Sequence, residues 1–272
     1  MYCAPAQPNP SDWFERLWRA ALRWALAWWR IVDLGAVVLV LLCSPSSYRR
    51  AARARLAQQI YTDTVPILPG FTALAALLSL VITHIVVVTA LSYGLTRYAL
   101  EMVIRVLVLE LIPLTAALFV AMRTTIPSAA QLAQLRRSGA LQALREQGGD
   151  PVRMELLPRV LAGAYASVTL AALSCVVALG MAYLGVYGLN TAGVPAYTRM
   201  FGQVFTPSIT LVFALKTLLF SLAVALIPMA SALYPPHPGV LQRQDAAGQG
   251  GLARLFAVLL LIEVVSLLGN YY

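Results

Sequence analysis

From Thr64 to Thr96 the chain runs for 33 residues without an aspartate, glutamate, lysine or arginine. A second uncharged run covers Val160 to Thr198, and a third, Met200 to Gln242, is interrupted only by Lys216. Crossing the hydrocarbon core of a bilayer takes about 20 helical residues, so each run holds one crossing and a turn. Inside lipid, backbone polar groups must be satisfied within a helix or a closed barrel. Barrel strands would read as short alternating segments, and these runs do not alternate. The expected fold is therefore an all-α polytopic membrane protein, and a composition 60% hydrophobic and 11% charged fits no soluble domain. Spans are expected near 68–92, 160–185, 207–232 and 252–270, with a fifth near 100–123 that carries Glu101, Arg105 and Glu110.

The arginines set an expected orientation. With the segment before the first span in the cytoplasm, fifteen arginines between Arg16 and Arg254 fall on that side, and only Arg97 and Arg199 fall outside. That asymmetry is the positive-inside pattern, and it places the C-terminus on the outer side after five crossings. The net charge of +9 then reflects topology and not nucleic-acid binding. Residues 1–48 form a separate N-terminal part, with residues 1–12 expected as a loose cytoplasmic end lacking signal-peptide features. The stretch WFERLWRAALRWALAWWR holds all five tryptophans, with Arg16, Arg19, Arg23 and Arg30 in one narrow stripe. This describes a helix lying in the headgroup layer. A short first span over Ile31–Cys43, bounded by Asp33 and Pro45, is the alternative, and both readings stay open.

Enzyme chemistry finds little support. A P-loop needs G-x-x-x-x-G-K-[ST], and the sole lysine, Lys216, lies in FALKTLLF with no glycine beside it. No cofactor or metal site is expected in this chain: His84 and His237 are far apart, and Cys3, Cys43 and Cys175 lack metal or redox spacing. His84 reads as a packed or interhelical polar residue.

Charges inside spans say more, because each costs about 2.5–3.5 kcal/mol at mid-membrane. Glu101 and Arg105 have the spacing of a helical ion pair. Glu110 lies deeper with no partner at helical spacing, and Lys216 and Glu263 are isolated in the last two spans. These three are expected to pair with one another or with another subunit, or to line a cavity. Pro113, Pro158 and Pro228 each free a carbonyl, and the small residues of AGAYASVTLAALSC admit a close neighbouring backbone.

Between the second and third spans lies a charged island, QLRRSGALQALREQGGDPVRMELLPR. Leu132, Leu135, Leu141 and Leu144 recur at near-helical intervals, with Arg136, Arg137, Gln142 and Arg145 as their polar complement. One amphipathic helix over 128–147 is expected, stopped by Gly148 and Gly149, with Asp150 and Pro151 opening the next helix. Docking to another protein and idle attachment to the membrane surface both fit this pattern.

With Glu110-Leu111 and Pro113, Arg123, Leu135-Arg136, Asp150-Pro151 and Pro158-Arg159 in this order, the chain resembles the MlaE-type permeases, the membrane subunits of MCE-associated lipid ABC transporters. The likeness runs from about Arg49 to Tyr272, with Lys216 on a lysine common in that family and Glu263 where members often carry Asp. The resemblance implies an N-terminal membrane-embedded helix, five spans, a two-fold dimer and a coupling helix seated in a P-loop ATPase that holds the ATP and Mg. Gln131, Leu135, Arg136, Leu141, Leu144 and Arg145 would form the coupling surface. Glu110, Lys216, Glu263 and Arg123 would line the lipid path or make intramembrane polar contacts. Implied partners are the ATPase, an MCE-domain periplasmic protein, phospholipid and a second permease, in a bacterial inner membrane. The chain departs from the pattern at Gln131, Ser138-Gly139-Ala140 and Leu109, so a paralogue is an alternative to a second copy of itself. Proton-coupled secondary transport and a purely structural membrane role are the rival readings, and the sequence lacks the inverted repeat common in secondary transporters.

Overall fold

The computed structural model describes residues 10–43, 50–94, 101–234 and 244–271, and every regular element among them is helical. Helix α1 (Pro10–Cys43) is continuous, so the tryptophan-rich basic stretch and the apolar run after it form one element. Helix α2 (Arg50–Thr64) turns into α3 (Leu68–Ser92). Then come α4 (Glu101–Arg137), α5 (Ala140–Glu146) and α6 (Val152–Tyr187). A 3-10 turn at Thr191–Gly193 leads to α7 (Val194–Val204), α8 (Pro207–Leu233) and α9 (Gln244–Tyr271). Five stretches, Ala54–Ser92, α4, α6, α8 and Gly251–Gly269, are long and apolar enough to cross a membrane. The N-terminal end before Pro10, Arg97 and His237 lie outside the described residues.

Helix α6 is the centre of the bundle and packs against α2, α3, α4 and α8. Its buried stripe is made of small residues: Ala162, Gly163, Ala166, Ser167, Ala171, Ser174, Ala178 and Ala182. In a membrane the association of helices rests on close packing, because lipid tails are as apolar as the side chains they would replace. A Cβ on Gly163 would stand 2.7 Å from Thr125 Cγ2, and one on Gly185 would stand 2.8 Å from Thr83 Cγ2. Helix α3 meets this seam through Phe71, Ala75, Ser79 and Thr83 at four-residue intervals. His84, one residue further round the wheel, is exposed on this chain and not packed as the sequence led us to expect.

Three π-helical segments, Ile104–Leu111, Ala121–Thr125 and Val152–Leu156, each end two residues before a proline: Pro113, Pro127 and Pro158. A proline inside a helix lacks the N–H for the carbonyl four residues back, and its ring crowds that carbonyl. The wider π turn relieves the crowding, so the helix runs through each proline instead of stopping. The helix that carries the expected span near 100–123 therefore extends beyond it. Helix α4 continues to Arg137, and its 37 residues measure about 55 Å against a hydrocarbon core of about 30 Å.

The expected single amphipathic helix over 128–147 is likewise two elements. Its first part is the end of α4, and its second is α5. Between them Gly139 takes φ +76°, a left-handed conformation costing other residues about 1–2 kcal/mol. Asp150 behaves as expected, its Oδ1 accepting from Val152 N–H at 3.0 Å.

The seam between α6 and α4 is directly testable. Gly163→Ala drives a methyl into Thr125 Cγ2 and should cost about 1–3 kcal/mol by overpacking. Adding Thr125→Ser removes that methyl and should recover most of the loss, read as thermal midpoints of the detergent-solubilised protein; equal midpoints for the single and double variants would refute the contact.

Candidate functional site

Lys216 projects from α8 into the bundle with its side chain 1% exposed. Burying an ammonium costs several kcal/mol unless its charge and its N–H groups are matched. Three acceptors surround Nζ. It donates to Glu110 Oε2 on α4 in a short, buried contact and to the Leu109 carbonyl at 3.2 Å. Glu263 Oε2 on α9 lies 3.0 Å away and completes an ion pair. Nζ also sits 5.7 Å from the centroid of the Phe220 ring, within reach of a cation–π attraction.

The carbonyls at this site are a product of Pro113. Ile112 N–H reaches back five residues to Leu107 O, and the next N–H in that register would belong to residue 113, which has none. Val108 O, the acceptor Pro113 would have reached in π register, instead takes the buried thiol of Cys175 at 3.6 Å. Leu109 O, the acceptor it would have reached in α register, takes Lys216. The missing N–H and the change from π to α register fall at this turn, and side chains from two other helices reach its carbonyls. Cys175, read from sequence only as a packing thiol, ties α6 to the same turn of α4.

The arrangement joins three spans through one cation and two carboxylates. Among the described residues no group of three or more His, Cys, Asp or Glu could hold a metal. The ion pairs hold α4, α8 and α9 in register and keep polar groups deep in an apolar bundle. Glu101 and Arg105 pair with each other at 3.1 Å.

The sequence profile of the family described as Permease MlaE matches residues 56–268 of this chain. The chain belongs to the MlaE permease family. No curated protein matches it. The permease is accordingly a multi-pass membrane subunit of an ABC-type transporter, a transport subunit rather than an ATPase.

Of the residues singled out in sequence, the permease brings Glu110, Lys216 and Glu263 into contact, whereas Arg123 is exposed on the second π segment and takes no part in their cluster. At the arginine-rich end, Gln131 and Arg145 are exposed, and Leu135, Leu141 and Leu144 are half-buried. Arg136 differs from its expected outward role. Its guanidinium turns inward and donates to Ala232 O at 2.6 Å and Leu233 O at 2.9 Å, the last carbonyls of α8. Those carbonyls have no N–H partner of their own within the helix. The sequence signal for this contact was weak, since an arginine on an amphipathic helix reads as solvated by default.

Removing the cation alone should be worse than removing the whole cluster. Lys216→Met takes the ammonium from Glu110 and Glu263 and should cost about 3–5 kcal/mol. The triple change Glu110→Gln, Lys216→Met and Glu263→Gln should lie nearer the parent in thermal midpoint. A single variant at least as stable as the triple would overturn the three-way pairing.

Proposed function

We propose that this permease moves phospholipid or a related lipid between the inner and outer membranes of a bacterium, driven by a partner P-loop ATPase and handing lipid to or from an MCE-domain protein. The observation that carries the reading is α5. This amphipathic helix has no fully buried residue, and it hangs from spans that match a permease family over most of their length. Leu141 rests in part on the core beneath it, while Gln142, Ala143 and Arg145 stay exposed. Such a helix supports a docking surface at the arginine-rich end, which the positive-inside rule assigns to the cytoplasm. Gln131, Leu135, Leu144 and Arg145 belong to the face offered to the ATPase, where ATP and Mg would bind.

Mechanistically, closure of two ATPase subunits would press on the α4 end and α5 of two permeases, either two copies or a copy and a paralogue. The spans would respond by changing how α4, α8 and α9 meet at Glu110, Lys216 and Glu263. On the opposite side, α7 is anchored to α6, with Tyr197 Oη donating to Leu179 O at 2.9 Å and its ring edge-on to Tyr183. Burial, with Tyr187 nearby, pushes the Tyr197 phenol up to about 12, so the donor keeps its proton at physiological pH. This end would face the MCE partner.

Purification of the tagged permease from its native membrane in mild detergent, followed by mass spectrometry, is expected to recover a P-loop ATPase and an MCE-domain protein. Leu144→Glu with Arg145→Glu should lower ATPase recovery at least tenfold while the permease itself accumulates normally. Recovery of the permease alone, with lipid transfer that ignores ATP and collapses with a protonophore, would replace this reading with proton-coupled transport.

A further inference from the structure

Polar contacts join α4 to α8 at both ends of the path from the docking surface to the buried cluster, Lys216 also donating to the Leu109 carbonyl. Near mid-bundle, Glu110 on α4 accepts from Lys216 on α8. At the arginine-rich end, Arg136 on α4 donates to Ala232 O and Leu233 O on α8. Lys216 and Ala232 are 16 residues apart in sequence, about 24 Å along a helix. Two rungs at that separation constrain both the sliding and the tilting of one helix against the other. We infer that Arg136 is a positioning residue which makes α4 and α8 a single two-rung body, so that force applied to the docking surface changes the Lys216–Glu263 contact and leaves the Lys216–Glu110 bond intact. The inference rests on the ATP-driven reading above.

The contacts to α4 and to α9 differ in number. Lys216 meets α4 twice, at Glu110 and at the Leu109 carbonyl, and α9 once, at Glu263. One contact costs less to open than two, so the α9 side is the side that yields. Space for α9 to move exists at the arginine-rich end. A cavity of about 190 Å³ lies between α4, α8 and α9, lined by small side chains such as Ala129, Ala133 and Ala232 with Leu255 opposite. The Arg136 side of α4 is by contrast filled: Leu132 is buried in a core that also takes Met229 and Ala230 from α8. Helix α8 runs unbroken through Pro228 between the rungs, with Ile227 and Met229 buried on either side of it.

Without the Arg136 rung, a push on α4 is no longer delivered to α8, and ATP hydrolysis continues without matched lipid movement. The test uses the full complex reconstituted in proteoliposomes, measuring ATP hydrolysed and fluorescent phospholipid transferred in one preparation. Arg136→Ala is expected to retain the ATPase on purification and to move at least fivefold less lipid per ATP than the parent, with Arg136→Lys partly restoring the ratio. A merely structural role would lower both rates together and leave the ratio unchanged, which would overturn the inference. If the parent complex moves no lipid with ATP, the functional reading falls and this inference falls with it; if only the variant ratio is unchanged, the rung alone is refuted. A second measurement does not depend on how the variant folds. Spin labels at the exposed positions 134 and 222 report α4 against α8, and labels at 222 and 261 report α8 against α9, in a chain whose three cysteines are replaced by alanine. Trapping the ATPase with vanadate should leave the first distance constant and change the second; a change in the first with none in the second would overturn the inference.

Discussion

The organisation of this bundle depends on matching one buried ammonium. Lys216 is the only lysine of the chain, and it sits where an unmatched charge would unfold its surroundings. Its partners come from three sources: a carboxylate on α4, a carboxylate on α9 and a backbone carbonyl that Pro113 leaves without an N–H. Each partner fixes a helix. Moving α4 by one turn would remove both Glu110 and Leu109 O, and moving α9 would remove Glu263. The same prolyl turn sends Val108 O to Cys175, so the register of α6 is tied to it as well. The turn before Pro113 thus ties α6 and α8 to α4 through backbone carbonyls, while the carboxylates fix α4 and α9 on Lys216.

Close packing on α6 makes that alignment possible. Side-chain acceptors have limited reach, so the helices that carry them must approach tightly. Gly163 against Thr125 and Gly185 against Thr83 allow contact that a larger residue would prevent. The stripe of alanine and serine between these glycines continues the seam. Polar matching and small-residue packing are thus two halves of one constraint: the seam brings the spans near, and the ammonium decides at which height they stop.

Much of this was legible in the sequence, and the reasons are physical. An apolar run of the required length has few alternatives in lipid, so the five spans and the helical class stood out. Isolated intramembrane charges are costly enough that Glu110, Lys216 and Glu263 demanded partners. The places where the sequence misled are those where backbone register decides. The span near 100–123 and the helix over 128–147 read as separate elements, yet α4 runs through Pro127 on a π turn to Arg137. Gly139 looked like an interior helical position, and its left-handed conformation instead separates α5 from α4. Neither the acceptor role of Leu109 O nor the inward turn of Arg136 has a signature in residue type, because each depends on which carbonyls a neighbouring helix leaves unsatisfied.

Proline and arginine act here as complementary devices. In the middle of α4 a proline removes a donor and creates acceptors that another helix must fill. At the end of α8 the acceptors exist without any proline, since every helix leaves its last carbonyls open, and an arginine from α4 fills them. Both devices convert a local backbone deficit into a tertiary bond, and both bonds join the same pair of helices. A permease that must respond to a partner at its surface needs such joints to be few and directional, because a bundle held by dispersion alone would spread a displacement over many small contacts. Concentrating the α4–α8 attachment in two polar joints, with a single contact to α9 beside them, gives the bundle a defined place to give way.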